Sequence, residues 1–215
     1  MSNSPQTVLI VRHGSRIDFI DPDWIKKSAR PFDPPLSAEG MIQAQELALR
    51  LSSEKIFHLF SSPFLRTIAT ASVIATSLRL SVKIEPGACE FLEQTWFPTR
   101  PTWLTSQELS SHFKTIDLNY QPFYQPRYPE SLNDLALRTA RTIRHLTERY
   151  PENILIVGHG ASVIGLARAL VPEAGDLAIG FCALVKIIKK NKSWEIELRG
   201  DTSFLSGGGK ELFRL

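Results

Sequence analysis

Thr7-Val8-Leu9-Ile10-Val11-Arg12-His13-Gly14 is the stretch that decides the fold of this 215-residue chain. Its first five residues favour β structure and are almost all apolar, which predicts a buried strand over 7–11. The apolar run then stops at a cation, an imidazole and a glycine. In open α/β sheets, ligands bind just beyond the carboxyl ends of the strands, and glycine lets the backbone approach a ligand closely. The stretch therefore predicts an α/β sheet with a site for an anionic ligand after its first strand.

A second stretch near the other end of the chain repeats this pattern. Ile154–Val157 is a short apolar run, and Gly158-His159-Gly160 follows it directly. If the two runs form neighbouring strands, both imidazoles face one cleft. The repetition favours a functional role for both histidines.

Strand and helix signals alternate along the rest of the chain. Helices are predicted over 38–52, from about residue 63 to 78, near 106–113, over 131–150 and over 160–170, with Ser37, Ser62 and Ser131 as caps. Further strands are predicted at 56–60 and 82–84, and an antiparallel hairpin at 182–188 and 194–198. This alternation predicts one domain over 1–215, a three-layer α/β/α sandwich with a mostly parallel sheet.

Three segments lack this regularity. Residues 15–35 contain four prolines and are predicted to form a long functional loop with a helical turn near Trp24. Residues 93–130 are rich in proline and aromatic residues and are predicted to form an inserted cap. Trp96 and Trp103 are its best candidates for contact with a ligand. The glycine-rich tail over 206–215 is predicted to be loose.

Composition excludes several classes of protein. A hydrophobic share of 43%, a charged share of 22% and a net charge of +3 are ordinary for a globular protein, and no basic run suggests nucleic-acid binding. The two cysteines show no CxxC spacing, which fits a reducing compartment. No signal peptide and no membrane span are recognisable, so we expect a cytoplasmic protein without membrane contact.

Two further residues are candidates for chemistry. Arg66 is expected in the first turn of a helix that begins just after a strand, where free N–H groups and a guanidinium both favour phosphate. Glu90 follows another strand and is a candidate general acid, because apolar neighbours raise the pKa of a carboxyl group. Glu85 and Glu93 compete with it for that role.

These motifs together resemble the histidine phosphatase superfamily, also called the phosphoglycerate mutase-like superfamily. The resemblance runs from about Val8 to Leu170 in the order of the family. Four segments carry it: Arg12-His13-Gly14; Leu36-Ser37 with Gly40, Gln43 and Ala44; Ser61–Thr67 with Thr70-Ala71; and Gly158-His159-Gly160.

A narrower resemblance is to the phosphatase domains of the suppressor of T-cell-receptor signalling proteins and the ecdysteroid-phosphate phosphatases. Ser15 departs from the glutamate common at its position. Four features carry this resemblance: Arg16, Glu85-Pro86-Gly87 before Glu90-Phe91, Leu104-Thr105 before Glu108-Leu109, and Ile116-Asp117 before Tyr120.

The resemblance implies a histidine acid-type phosphatase, a phosphoric monoester hydrolase. His13 would attack phosphorus and form a phosphohistidine, and Glu90 would protonate the leaving oxygen. Arg12, Arg66 and His159 complete the implied catalytic set, with Arg16, Gly14, Gly160 and Ala161 as implied substrate-binding residues. No metal and no cofactor is expected. The implied substrate is a phosphorylated small molecule or a phosphotyrosine-like group, and a homodimer is possible because both monomers and dimers occur in the family.

Three alternatives stand beside this hypothesis. A phosphoglycerate mutase is disfavoured by the proline-rich 15–35 loop, and a non-catalytic phosphate-binding module by the completeness of the set of histidines, arginines and glutamate. A metal site built on His13, His159 and Glu90 lacks HxxxH or HExxH spacing, and three arginines would repel a cation.

Overall fold

The computed structural model describes residues 5–208 and 212–215. Six strands are found within these residues: β1 (Thr7–Arg12), β2 (His58–Ser61), β3 (Val82–Ile84), β4 (Ile154–Gly158), β5 (Leu184–Lys190) and β6 (Ser193–Asp201). They form one mixed sheet in the order β3-β2-β4-β1-β5-β6. The first four strands pair in parallel, whereas β5 pairs antiparallel with both β1 and β6. This agrees with the predicted α/β architecture and its closing hairpin.

Helices cover both faces of the sheet, and each face has its own hydrophobic core. The helices are α1 (Trp24–Lys27), α2 (Ala38–Leu51), α3 (Leu65–Leu78), α4 (Ser106–His112), α5 (Leu132–Arg149) and α6 (Gly160–Leu170). One core packs the inner residues of β1 and β4, such as Ile10 and Ile156, against apolar positions of α5 and α6. The other packs Leu9 and Leu155 against α2 and α3.

The two serines at the starts of α2 and α5 cap these helices as predicted. Ser37 accepts a hydrogen bond from the Gly40 N–H, and Ser131 forms a reciprocal capping box with Asp134. The short helix α4 is likewise capped, by Thr105 in a reciprocal capping box with Glu108.

The predicted start of α3 is wrong. The helix begins at Leu65 rather than near Pro63, and Ser62 does not cap it, because its hydroxyl is bonded to His159. The Leu65 N–H instead donates to Asp33, a carboxylate of the distant 15–35 segment, at 2.7 Å.

The tail is attached in its described part, which corrects the prediction of a loose tail over 206–215. The backbone of Phe213 exchanges two hydrogen bonds with that of Ile179, each 3.0 Å long. The Phe213 ring also packs against Phe91 and Ala161. Residues 209–211 lie outside the described residues.

The two edges of the sheet differ from its centre. The three-residue strand β3 is flanked by a chain segment that bridges Val82 to Ile116. At the other edge, the pairing of β5 with β6 shifts register twice, near Val185 and near Ile187.

Candidate active site

The sheet brings the two predicted histidines together. Strands β1 and β4 are parallel neighbours, with Arg12 opposite Gly158, so the residues that follow the two strands lie at the same end of the sheet. The His13 N–H donates to the Gly158 carbonyl at 3.0 Å, and the centroids of the His13 and His159 rings are 5.2 Å apart. The two histidines thus lie side by side at the carboxyl ends of their strands, as the repeated pattern predicts.

His13 is held as a neutral base with one free nitrogen. Its Nδ1 lies 2.7 Å from the Gly14 carbonyl oxygen, so Nδ1 carries the proton and Nε2 keeps its lone pair. Burial, followed by the charges of Arg66 and Arg12, holds the pKa of His13 well below its usual value. An uncharged imidazole whose Nε2 lone pair is not used in a hydrogen bond is what a nucleophile requires.

His159 is fixed in the opposite tautomer. Its Nδ1 lies 3.2 Å from an Arg66 nitrogen that can only donate, so Nδ1 accepts and Nε2 donates to the Ser62 hydroxyl at 2.7 Å. Burial, then the charge of Arg66, lowers the pKa of His159 well below its usual value. Ser62 is a site residue that the sequence interpretation missed, because it reads as a helix cap.

Arg66 lies in the first turn of α3, as predicted, and is 1% exposed. Its guanidinium lies over the Phe64 ring, and neither Nε nor Nη1 has a hydrogen-bond partner. Burial, then the nearby charge of Arg16, lowers the pKa of Arg66 to about 10, so it stays cationic. A buried cation with unsatisfied donors is stable only where an anion completes it, which indicates an oxyanion site.

Two further arginines, Arg12 and Arg16, lie close enough to His13 for their charges to act on it. Arg12 stacks over the Phe181 ring, 4.4 Å from its centroid, and donates to the Ile179 carbonyl at 2.9 Å. Arg16 makes a bidentate pair with Asp18, with distances of 3.0 and 2.8 Å. This pair uses the Nε and one terminal nitrogen of Arg16, so the guanidinium is oriented while its other terminal nitrogen is left for a ligand.

Glu90 presents one carboxylate oxygen to the site. Oε1 accepts from the Phe91 N–H at 3.0 Å, while Oε2 lies 3.4 Å from His159 Nδ1 and 3.7 Å from Arg66. The geometry suits a group that exchanges protons with a ligand held by Arg66.

The competing glutamates lie elsewhere. Glu85 is fully buried and accepts hydrogen bonds from the Tyr120 hydroxyl and the Phe123 N–H, so it anchors the insertion to the end of β3. Glu93 binds the backbone and side chain of Thr95 at the surface.

The glycine that follows His13 is required by close packing. A Cβ on Gly14 would lie 2.5 Å from the Gly40 carbonyl oxygen, and a Cβ on Gly40 would lie 2.1 Å from the Ser15 oxygen. The Gly14 N–H also donates to Thr70. The start of α2 therefore fixes the loop that carries His13.

Gly160 and Ala161 form the first turn of α6, where backbone N–H groups lack intrahelical acceptors. Their other contacts are apolar. A Cβ on Gly160 would meet the Phe213 ring at 2.4 Å, and Ala161 packs with Phe91 and Leu135. Only their N–H groups are available to an anion at the helix start.

A buried ion pair supports the Glu90 loop, and sequence reasoning missed it. Arg138 is fully buried and paired with Glu130 at 2.6 Å. It also donates to the carbonyls of Gly87, Cys89 and Glu90. Glu130 and Arg138 stand eight residues apart on either side of the cap of α5, a spacing that carries no recognisable signal.

A cleft of about 270 Å³ opens over Arg66 and Glu90. Its apolar lining, which we call the apolar wall, comes from the 15–35 segment and from the 93–130 segment. Trp96 lies in it, whereas Trp103 packs against Phe64, with ring centroids 5.7 Å apart. The residues of the apolar wall are Ile25, Pro31, Phe32, Pro34, Trp96 and Phe97.

Neither a cluster of metal-binding side chains nor a membrane-spanning helix is present in the described part of the chain. No group of three or more His, Cys, Asp or Glu side chains converges within it in a way that could hold a metal ion. None of its helices has both the length and the apolar character needed to cross a membrane.

Comparison with known proteins gives a consistent result. The model of the histidine phosphatase superfamily (branch 1) matches residues 8–202. The ecdysteroid-phosphate phosphatase of Drosophila melanogaster is 28% identical over 237 residues, which cover 88% of this chain and 31% of the relative. The chain thus spans about a third of the length of that protein.

A second relative matches over nearly its whole length. The probable phosphoglycerate mutase GpmB of Proteus mirabilis is 30% identical over 216 residues, covering 93% of this chain and 94% of the relative. Among solved structures, ecdysone phosphate phosphatase from Bombyx mori in complex with tungstate superposes with a TM-score of 0.70. It is 22% identical and the match covers 89% of this chain and 91% of the other, which shows a shared fold.

Proposed function

The chain belongs to the histidine phosphatase superfamily, and we propose that it is a phosphomonoesterase of the histidine acid type that works through a phosphohistidine on His13. One observation carries the proposal. A neutral imidazole with a free Nε2 stands beside a buried guanidinium, that of Arg66, whose Nε and Nη1 have no hydrogen-bond partner. A phosphoryl group between them would accept hydrogen bonds from Nε and Nη1 of Arg66 and place its phosphorus near Nε2 of His13.

In the first step, the Nε2 lone pair of His13 attacks phosphorus and the ester bond to the alcohol oxygen breaks. Glu90 gives its proton to that oxygen, so the alcohol leaves neutral and the carboxylate remains. Arg12 and Arg66 donate to the non-bridging oxygens, over which charge is spread during transfer. His159 accepts a hydrogen bond from Arg66 through Nδ1 and so orients that guanidinium.

In the second step, water attacks the phosphohistidine and the N–P bond breaks. The Glu90 carboxylate takes the proton of the water, and inorganic phosphate leaves while His13 regains its lone pair. The hydrogen bond from Nδ1 to the Gly14 carbonyl stabilises the imidazole while it carries the phosphoryl group.

The substrate we propose is a phosphate monoester with an apolar or aromatic alcohol, either a small molecule or a phosphotyrosine-like group. The apolar wall lies next to Glu90, where the leaving alcohol would sit. Most other aromatic residues of the 93–130 segment pack against the body of the protein rather than face this cleft. Tyr120, for example, lies against Phe60 of β2. A relative's name, ecdysteroid-phosphate phosphatase, gives one such alcohol.

Phosphoglycerate mutase activity is the second candidate, because the probable mutase of Proteus mirabilis matches nearly end to end. In a mutase the phosphohistidine would return its phosphoryl group to a sugar acid rather than to water. The apolar wall favours hydrolysis, since a phosphoglycerate carboxylate would gain nothing from it.

The test compares wild type with His13→Ala and with His58→Ala, a histidine paired with Glu152 on the surface. The wild type and the His58 variant should release phosphate from p-nitrophenyl phosphate. Turnover of labelled substrate, quenched in alkali because the N–P bond of phosphohistidine is stable there and hydrolyses in acid, should trap labelled phosphate on His13. The His13 variant should lose at least about a thousandfold in kcat. Substantial activity in that variant contradicts the assignment.

The same preparation is then assayed with a panel of esters. Phosphotyrosine and steroid phosphates should show higher kcat/KM than phosphoserine or 3-phosphoglycerate. Interconversion of phosphoglycerates at a rate above phosphate release would establish the mutase alternative. A stable chain that traps no phosphate would establish the non-catalytic one.

A further inference from the structure

Asp33 is a buried carboxylate that the reaction above does not use. It lies in the 15–35 segment, just before Pro34, and is 1% exposed. Its Oδ1 accepts from the Leu65 N–H at 2.7 Å, whereas Oδ2 is buried without a hydrogen-bond partner. A carboxylate oxygen left unsatisfied in the interior is costly and requires an explanation.

The position of Asp33 supplies one. Leu65 is the first residue of α3 and directly precedes Arg66, so Asp33 caps the helix turn that carries the buried cation of the site. A side chain of the same helix does not perform this function, since the residue at the cap position is Phe64. The cap instead ties the proline-rich segment to the arginine.

Two cations act on this carboxylate. Arg66 does so from α3, and Arg30, in the same segment as Asp33, places its Nε 3.9 Å from Oδ2. In turn, Asp33 is among the anions that favour the charged form of Arg66, together with Glu90 and Asp18. The charge of Asp33 is therefore part of the electrostatic balance of the oxyanion site.

We propose that Asp33 is a positioning residue that fixes the helix start bearing Arg66 and, through its ionisation, sets how strongly the site attracts an oxyanion. The inference rests on the proposed function only in taking the site to bind a phosphate-like anion. With Asp33 ionised, part of the positive field of Arg66 is offset. With Asp33 neutral, that field acts fully on the ligand.

Asp33 changes its charge within a pH range in which ligand binding can be measured. Burial raises the pKa of Asp33 to about 6, although Arg66 and the Leu65 N–H oppose the rise. Above this pH the carboxylate is charged and the affinity for an anion should be lower. Below it the carboxyl is neutral and the affinity should be higher.

The experiment measures binding of sulfate, whose charge is constant over the range used, by calorimetry from about pH 5.5 to 7.5. For the wild type, the Kd for sulfate should rise several-fold as pH increases through about 6. Asp33→Asn keeps an oxygen acceptor for the Leu65 N–H but carries no charge. At pH 7.5 it should bind sulfate about three- to tenfold more tightly than wild type, with little dependence on pH.

Asp23→Asn is the matched control, because it removes the same charge from an exposed position of the same segment, where Asp23 pairs with Lys26. It should bind sulfate like the wild type. Asp33→Ala loses the cap as well, and should melt at a lower temperature than Asp33→Asn.

A Kd for sulfate that is flat with pH in the wild type overturns the proposal, whether or not any variant folds. Equal affinities in wild type and Asp33→Asn across the range also overturn it. Because sulfate binding is measured without turnover, failure of the proposed phosphatase activity would show separately, as a chain that binds sulfate but releases no phosphate.

Discussion

Arg138→Met should destabilise the protein strongly, because it strands a buried charge. The substitution removes both bonds to Glu130 and the three bonds to the carbonyls of Gly87, Cys89 and Glu90. Breaking a fully buried ion pair by removing one partner costs about 3–5 kcal/mol. In a chain of this size each kcal/mol lowers Tm by about 2–4 °C, so we expect Tm to fall by about 6–20 °C.

Activity should fall along with stability, even at temperatures where the variant is folded. Arg138 holds the backbone carbonyl of Glu90 at 3.1 Å, so its loss loosens the loop that presents the carboxylate. Since general acid–base catalysis contributes about 10²–10⁴-fold, a misplaced Glu90 should lower kcat by about tenfold or more at 20 °C.

Thermal denaturation followed by circular dichroism, together with kcat for an aryl phosphate, measures both effects. Arg141→Met is the control, because Arg141 is exposed on the same helix and should leave Tm nearly unchanged. Adding Glu130→Gln to Arg138→Met should restore part of the lost stability by removing the stranded charge. A Tm for Arg138→Met within about 2 °C of wild type would refute the reasoning.

The remaining predictions concern the histidines and the glycine behind them. Ser62→Ala should lower kcat by about tenfold, as measured by steady-state kinetics, since it frees the tautomer of His159; an unchanged kcat counts against that role. Gly40→Ala should lower Tm sharply, because its Cβ would lie 2.1 Å from a backbone oxygen, while Gly207→Ala, with its nearest atom at 3.7 Å, should not. Unfolding measured against pH should show stability falling on acidification below about pH 6.5. His13 and His159 stay neutral when folded but take up protons when unfolded, at about 1.4 kcal/mol per pH unit each. His159→Asn should reduce that slope, and an unchanged slope would show that His159 is not the group responsible.

The sequence predicted those features of the site that local patterns encode. An apolar run ending in His13 or His159 indicates both a strand and the position of an imidazole at its end. Parallel pairing of β1 with β4 then brings the two rings together. Arg66 was predicted for the same kind of reason, since it follows a strand and lies in the first turn of a helix.

The features that escaped prediction depend on partners far apart in the sequence. Asp33 caps a helix that begins 32 residues later, and Arg138 supports carbonyls about 50 residues earlier. The attachment of Phe213 to Ile179 replaces a tail that composition alone predicts to be loose. Neither side-chain type nor spacing reveals such contacts, because they exist only once the sheet has formed.

The two edges of the sheet have a consequence for how copies of this chain meet in solution. Unpaired strand edges invite other chains to add on, and natural proteins block this with short strands, bulges and charges. Here one edge strand has three residues and a flanking segment, and the other has two register shifts and exposed glutamates such as Glu195 and Glu197. Concentrated solutions should therefore resist fibril growth, and any dimer should form through helices or loops rather than by extending the sheet.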